Sequence, residues 1–568
     1  MDQAPVTPAT SQPAPELDQG HPHKWLILAA VSLGMFMTLL DVTIVNIAIP
    51  AVIKDLNTTV TAVSWVVNAY SLALAVLFLS MGRFGDKFGL KLVFLCGLAV
   101  FSIASLACGL APNINWLIGF RVVQGVGGAA MAPISLAILF KVFPRRQQGM
   151  AVGLWGALGG VAAAVGPTLG GFLVEYASWH WVFFINVPIG AGALVLCWWV
   201  VPKGEARRSS FGIDLVGVAI SAVGLLCFVL ALIQTSTWGW TAPKTLVLFA
   251  VGIAALPLFA WWELRVPSPM FDFRLLRIRS FTAANTTMML VGATMGGALF
   301  LLPIFLISVL GYSELKAAIA ITPMPLMALV LGPLVGRLTD RIGPRLPAAV
   351  GAVFFGVGML LLAQLGGQST ALSVGWRVIF LGVGMGCVFP SVSSAAMGSL
   401  PPQVSGVGSA ALNTLRQVGF SLGIAVLVAI FSHQVVVNVT AAARQSQRFV
   451  QTQTVLPVAA RQQIGLSLAK TVEAAKQDGG TNLSVSSALA GAPTAAPDTP
   501  MAREQAKLTN TIGGLFRDDI AKSFRWSYYA ASLVAFLALI PALFTGRRIG
   551  EHEGHEAMSR AERVAGTT

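Results

Sequence analysis

The feature that most constrains this chain is the recurrence of apolar runs of about 20 residues, each long enough to cross the hydrocarbon core of a bilayer as a helix. They lie near 26–50, 62–81, 92–111, 116–140, 149–173, 181–201, 213–234, 244–263, 281–304, 314–336, 347–365, 372–396, 407–434 and 526–545. A soluble globular domain carries roughly 25% charged residues. Here the share is 11%, with 55% hydrophobic residues, and a soluble enzyme is excluded. The 58 glycines belong to the same picture, because small residues let membrane helices approach closely where lipid gives no hydrophobic drive to associate.

Fourteen spans put both termini on one side. A net charge of +14 invites a nucleic-acid reading, but the placement of the charges points to a membrane. The segments on the N-terminal side hold 21 Lys and Arg, including Lys24, Arg83, Lys141, Arg145, Lys203, Arg207, Arg208, Arg547 and Arg548. The short loops opposite hold three: Lys54, Lys244 and Lys316. The positive-inside rule therefore predicts cytoplasmic termini in a cell (cytoplasmic or inner) membrane, with no nucleic-acid partner.

The organisation that follows is a disordered cytoplasmic tail (1–24), a six-helix half (25–201), an inserted helix pair (202–264), five helices of a second half (265–434), an extracytoplasmic segment (435–524), a last span (525–546) and a cytoplasmic tail (547–568). The tail before the first span is acidic and rich in Pro, Gln and Thr, and that span is too long for a signal-peptide core. The segment 435–524 is too polar to enter the bilayer. Its stretches 455–477 and 502–524 have helical composition, separated by a piece with Gly479, Gly480, Pro493 and Pro497. A helical hairpin is expected there, either as a tolerated insertion or as a dock for an envelope adaptor protein.

The chain repeats itself. GRFGDKFGLK at 82–91 returns as GRLTDRIGPR at 336–345, and Phe120-Arg121 in span four returns as Trp376-Arg377 in span twelve, at offsets of 254 and 256 residues. Two matches at nearly one offset indicate two related six-helix halves, with spans seven and eight inserted between them. Parallel repeats of this kind are a transporter plan with the substrate near the midplane.

The loop pattern G-x-x-x-D-[RK]-x-G-x-[RK] resembles the signature loop of the major facilitator superfamily. LDVTIVNIAIP at 40–50, RVVQGVGGA at 121–129 and GPTLGG at 166–171 make the chain similar to the fourteen-helix drug:proton antiporter branch, the EmrB/QacA type. The resemblance covers about 25–434 and the last span. It departs at Ala162, where the antiporter motif usually has glycine, and at His180, where arginine is commoner. The fold it implies is an all-α integral membrane protein of 14 transmembrane helices, two pseudo-symmetric six-helix halves plus two inserted helices.

The residues themselves point the same way. A carboxylate inside a span costs about 3 kcal/mol and is a functional hypothesis by default. Asp41 is that carboxylate, whereas Asp214 and Glu263 sit at span ends expected to meet water. Thr38, Thr43 and Asn46 flank Asp41 and are expected to stabilise it, and burial disfavours a carboxylate's charge, as a proton carrier requires. Arg121 is its natural counterpart, assigned to proton coupling by the resemblance. Thr38, Asn46, Gln124, Asn413 and Arg416 are candidates for the substrate cavity, and a pairing or packing role is favoured for Arg416.

Gly82, Asp86, Lys87, Gly89 and Lys91, with Gly336, Asp340, Arg341, Gly343 and Arg345, form paired gate loops. Their glycines permit tight turns, and their aspartates can accept hydrogen bonds from helix N-termini and so latch an outward-facing state. The basic residues of these loops also enforce topology. Gly166, Pro167, Gly170 and Gly171 make a close-packing face in span five, which the resemblance implies is a seal against leak.

Cys96, Cys108, Cys197, Cys227 and Cys387 all lie in apolar runs without metal or disulfide spacing. His552 and His555 lie in a charged tail. No Walker loop is present, no catalytic constellation appears, and neither cofactor nor metal nor enzymatic activity is expected. The reading that results is a proton-coupled exporter of small amphipathic hydrophobic compounds, a multidrug efflux antiporter working by alternating access. Its rivals are export of a lipid, siderophore or biosynthetic product on the same fold, and a non-transporting membrane sensor or scaffold.

Overall fold

In the computed structural model the described residues are 21–58, 60–203, 214–266, 269, 271–401, 404–452, 458–478 and 500–546. Most of the N-terminal tail, Arg207, Arg208, the Gly479–Pro497 piece and the C-terminal tail with Arg547, Arg548, Arg560, Arg563, His552 and His555 lie outside them. Every regular element among the described residues is helical. Fourteen helical segments are long and apolar enough to cross a membrane.

The first half comprises α1 (Lys24–Asp55), α2 (Val60–Phe88), α3 (Leu90–Gly109), α4 (Ile114–Val142), α5 (Gln148–Tyr176) and a sixth span broken at Ile185 into α6 (Trp181–Phe184) and α7 (Asn186–Val200). The inserted pair is α8 (Leu215–Trp238) and α9 (Pro243–Glu263). The second half begins with α10 (Arg279–Ile304). Its next span is divided at Thr322 into α11 (Glu314–Ile321) and α12 (Pro323–Ile342), and α13 (Arg345–Leu362) and α14 (Ala371–Gly398) follow. After these come α15 (Ser405–Thr452), α16 (Val458–Asp478), α17 (Pro500–Leu537) and α18 (Leu539–Ala542). Proline is tolerated inside membrane helices where local adjustment re-satisfies the freed backbone. Pro303 in α10 is followed by one π-helical turn, Phe305–Val309.

The halves meet along a seam that starts at the face carrying the N-terminus and reaches the middle of the spans. Gly82 of α2 lies against the backbone of Gly406 in α15, and Gly149 and Gly153 of α5 lie against Gly336 and Gly332 of α12. Ser409 Oγ donates to the Pro133 carbonyl at 2.8 Å, tying α15 to α4. Gly160 faces Pro325. Toward the opposite face the arrangement changes. There the first half keeps its own apolar core, with Ile44, Val45, Val52, Leu117, Val182 and Phe183, and no described residue of the second half joins it. The inserted pair leans on both halves: Val229 of α8 packs with Leu72 and Ala75 of α2 and with Val418 of α15.

Two expectations need correction. The segment 435–524 is not separated from the spans beside it. Span thirteen continues without a break to Thr452, and span fourteen begins as far back as Pro500. The physical reason is that Val435–Thr452 holds no Gly or Pro stop and is rich in Ala, Gln and Arg, which favour helix. At 48 residues α15 is about 72 Å long, against a core of about 30 Å. It pairs with α17 through tilted Phe431 and Phe524 rings with centroids 4.4 Å apart and an Asn438–Ser523 hydrogen bond of 3.0 Å. Ile464 and Leu468 of α16 are buried in the same apolar core.

Glu263 is likewise not at a wetted end. It is only 3% exposed and accepts the Phe271 backbone N–H at 3.1 Å, because the chain after α9 folds back over it. Asp214 caps α8 by accepting from Gly217 N at 2.8 Å and also receives the Trp262 indole N–H at 2.8 Å.

Candidate functional site: a buried carboxylate and a seam between halves

Asp41 and Arg121 form an ion pair with both side chains 0% exposed. Removing two charges from water is expensive unless their remaining valences are met, and here most are. Gln124, one turn beyond Arg121 on α4, donates to Asp41 Oδ1 at 2.9 Å and accepts from Arg121 Nη1 at 2.8 Å. Arg121 Nε donates to the Val66 carbonyl of α2 at 2.9 Å, and its guanidinium lies 4.2 Å from the Tyr70 ring centroid. Asn186, the first residue of α7, reaches Asp41 Oδ1 at 3.5 Å and Ser105 Oγ of α3 at 3.1 Å. Gln124 also donates to Ser105 Oγ at 3.2 Å, and the Ser105 hydroxyl donates to the Phe183 carbonyl at 2.9 Å. Arg121 Nη2 and Asn186 Oδ1 have no hydrogen-bond partner. One carboxylate thus ties together α1, α2, α3, α4 and the start of α7.

The neighbours of Asp41 along its own helix do not take part. Thr38 and Thr43 turn their hydroxyls back onto the backbone, to Gly34 and to Leu39 and Leu40. Asn46 is exposed and donates to the Val42 carbonyl at 3.1 Å. Five residues on a helix is a rotation of about 140°, so Asn46 lies on a different, exposed face of α1 while Asp41 faces the bundle interior. Gln124, expected in a substrate cavity, is instead fully buried in the ion-pair network. Tyr70, Ser105 and Asn186 were not singled out by sequence. Asn186 stands in the motif after His180, but a lone Ser or Tyr in an apolar span carries no pattern.

The paired loops build two equivalent clamps across the seam. Asp86 accepts from the N–H groups of Gly406 and Val407, both at 2.9 Å, at the start of α15. Asp340 accepts from Gly149 N at 2.8 Å and Met150 N at 3.2 Å, at the start of α5. Each half thus supplies an acid to the exposed N–H groups of a helix in the other, which both the hydrogen bonds and the helix dipole favour. Gly89 and Gly343 follow at φ of 97° and 89°, a region that favours glycine. Among the cations, Lys91 caps α7 by donating to the carbonyls of Trp198 and Val201, both at 2.6 Å. Lys87 lies 5.7 Å from the Phe88 ring. Arg341 is exposed, and Arg345 opens α13.

The glycines of α5 divide between two jobs. Gly149 and Gly153 touch the other half. Gly159, Gly166 and Gly170 lie against Leu39, Thr43 and Ile44 of α1, and Gly171 faces open space. The Gly166–Gly171 stretch around Pro167 therefore packs within its own half, not across the seam. Ala162 is buried. His180 stacks on Trp179, with centroids 3.9 Å apart.

Asn413 and Arg416 lie on α15 at mid-span. With Leu136, Trp155, Met288, Phe389, Ser393 and Leu412 they line a small recess between the halves. The position that repeats Arg121, Arg377, holds no carboxylate. It hydrogen-bonds Ser373 and lies 4.5 Å from the Trp376 ring centroid. The acid is a feature of one half only. No group of three or more His, Cys, Asp or Glu among the described residues is placed to hold a metal.

Two six-helix bundles clamped to each other at one face and carrying a buried ion pair within apolar spans are the build of a membrane transporter. The sequence pattern of the Major Facilitator Superfamily matches residues 31–424, and the chain belongs to that family. It is 34% identical over 418 residues to the tetracenomycin C resistance and export protein of Streptomyces glaucescens, covering 72% of this chain and 76% of that one. It is 35% identical over 407 residues to the multidrug resistance protein Stp of Mycobacterium tuberculosis (71% and 75% covered), and 31% identical over 401 residues to the methylenomycin A resistance protein of Streptomyces coelicolor (70% and 84%). Among solved structures, human MFSD10 (TETRAN), described as an organic anion transporter, shares the fold with a TM-score of 0.54 at 14% identity, covering 72% of this chain and 93% of that one.

Proposed function

We propose that this protein is a proton-coupled exporter of amphipathic hydrophobic compounds, with both termini in the cytoplasm and a cleft between the halves opening outward. The observation that carries this reading is the Asp41–Arg121 pair, buried in a span and linked to five helical elements. Its position favours loading from outside: Asp41 is 17 residues along α1, about 25 Å from the cytoplasmic end. A proton on Asp41 removes the charge that Arg121 pairs with. The guanidinium stays in place even then, because Val66, Gln124 and Tyr70 hold it independently.

Movement of α1 would pass to α5, since Gly159, Gly166 and Gly170 let the two pack in close contact on the side of α1 away from Asp41. α5 in turn carries the N-terminal N–H groups that Asp340 holds. Protonation would thus bias the clamps, and the halves would rock to expose the cleft to the cytoplasm, where the proton leaves and cargo enters. Relatives named for antibiotic resistance and export support an antibiotic-like cargo. The name of the tetracenomycin C protein supports export of a biosynthetic product as a second reading.

The test is flux in proteoliposomes. An imposed pH gradient should drive accumulation of an amphipathic dye such as ethidium or fluorescein by the wild type, and Asp41→Asn should abolish the concentrative component while the protein remains folded. Concentrative transport that persists in Asp41→Asn overturns the coupling mechanism.

A further inference from the structure

The connection from the inserted pair to the second half ends in an anchored strap, residues 271–278, that leads into α10. Phe271 is buried. Glu263 at the end of α9 accepts its backbone N–H at 3.1 Å, and its ring lies 5.3 Å from that of Phe273, which meets Phe259 of α9 at 5.7 Å. Asp272 accepts the Arg274 backbone N–H at 2.9 Å and so opens a 3₁₀ turn, Phe273–Arg277. Beyond the turn, Thr282 Oγ1 donates back to the Leu276 carbonyl at 2.6 Å, and Ser280 Oγ donates to the Thr545 carbonyl at 3.2 Å. The strap is therefore fixed at both ends, and its outer side chains start from fixed places.

What it presents is positive charge. Arg274, Arg277 and Arg279 are exposed, as is Arg265 after the end of α9, and none of the four is ion-paired among the described residues. The one acid between 264 and 279, Asp272, is engaged in the turn. Side chains three apart on a 3₁₀ turn eclipse, so Arg274 and Arg277 leave the strap on one side. Apolar surface lies beside them: Trp261, Leu264, Leu276 and Phe544 are exposed, with Arg265 4.0 Å from the Trp261 ring centroid and Arg279 4.5 Å from that of Phe544. The strap sits at the clamped face. Gly292 and Gly296 of α10 lie against Arg416 and Phe420 of α15 in the same order along both helices, so α10 starts beside the helix start that Asp86 holds.

We infer that this strap is a binding site for an anionic glycerophospholipid of the leaflet at the clamped face. The headgroup phosphate takes charge-assisted hydrogen bonds from Arg274 and Arg277, whose planar guanidinium forks match phosphate geometry. Trp261 belongs at headgroup level, as tryptophans at span ends do, and Leu264 and Leu276 meet the start of the acyl chains. Basic residues that merely orient spans need only a sum of charge. Here two of them are aligned on one anchored turn, in a group of the size that attracts anionic lipid beside a span. Because the strap joins α9 to α10, a lipid held there bridges the inserted pair and the second half. The inference is independent of the export reading and of Asp41.

The test is lipid binding to the purified full-length protein, delipidated in mild detergent and titrated with dioleoyl phosphatidylglycerol or dioleoyl phosphatidylcholine, with bound lipid counted by native mass spectrometry. The wild type should prefer phosphatidylglycerol. Arg274→Gln alone should cut the phosphatidylglycerol-to-phosphatidylcholine affinity ratio about fivefold, and Arg274→Gln with Arg277→Gln about 30-fold, the size expected for basic residues near a charged lipid surface. Arg274→Lys with Arg277→Lys should keep most of the preference. Arg145→Gln with Arg146→Gln removes two exposed charges from the same face and should leave the ratio as in the wild type. The inference is overturned if the wild type binds both lipids equally, or if the single and double Gln variants keep the wild-type ratio. An equal loss in the Arg145 and Arg146 variant also overturns it, since that marks a diffuse field and not a site. Displacement of phosphatidylglycerol by an equal concentration of soluble glycerol 3-phosphate overturns it as well, because the site would then take a free phosphate and not a lipid.

Discussion

Arg121 does more than neutralise Asp41. Its Nε reaches Val66, one Nη serves both Asp41 and Gln124, and its flat face meets Tyr70. A lysine has one ammonium and no planar fork, so it can keep the charge but not these contacts together. Arg121→Lys should therefore retain the fold but lose more than about tenfold of pH-driven flux, and unchanged flux would show that charge alone suffices. Arg121→Ala is the harsher change, since stripping one partner from a buried pair costs about 3–5 kcal/mol. It should lower the thermal midpoint measurably, and a midpoint equal to wild type would show that the pair is not structurally coupled. The importance of Asp41 and Arg121 was legible in the sequence because charge in a span is rare. Asn186 and Ser105 were not, because ordinary polar residues stand on helices that only tertiary packing brings to α1. The same limit misplaced Asn46, which shares a neighbourhood with Asp41 in sequence but not a helix face.

At the scale of elements, the clamps explain why the gate loops occur twice. Asp86 and Asp340 each accept two backbone N–H bonds from a helix start in the opposite half, and a carboxylate there is worth about 1 kcal/mol beyond a neutral acceptor. Replacing both by Asn should shift the outward-to-inward population ratio by about 30-fold. Spin-label distances across the clamped ends of α2 and α15 should report that shift as a longer component, whereas an unchanged distribution would remove the clamps from the mechanism.

Gly153→Val tests the seam itself. Its Cβ would run into the Gly332 backbone, so the clamped ends should no longer close and transport should fail in a folded protein. Near-normal flux would show that this contact is dispensable. The repeat at 82–91 and 336–345 made the paired loops legible. That each loop addresses a helix of the other half was not, because the offset of a repeat says nothing about which helix end lies across the interface.

For the whole molecule, the asymmetry between halves matters more than their likeness. The first half carries the ion pair, the second carries Arg416, and α8 fills one side of the seam. If the cargo is a monoanion, exchange of one proton inward for one anion outward moves two charges per cycle. A membrane potential adds about 2.3 kcal/mol per charge per 100 mV. Fluorescein export should thus accelerate under an inside-negative potassium diffusion potential without a pH difference, and insensitivity to the potential would exclude that stoichiometry.

The long arms of α15 and α17 stand apart from the ion pair and the recess. The apolar runs located the spans but ended them too early, because a helix continues past the bilayer whenever no Gly, Pro or cap stops it. Deleting 453–499, between α15 and α17, should leave dye export largely intact, and its loss would make the outer segment a working part.

The most direct test of the central claim is proton release on binding. Ethidium, which has no proton of its own to lose near neutrality, added to the detergent-solubilised wild type in weak buffer should expel a proton into the medium, read with a pH electrode, because cargo and a protonated Asp41 favour opposite states of the clamps. In Asp41→Asn the dye should still bind and release none. Equal release from both proteins would place the coupling group elsewhere and contradict the account.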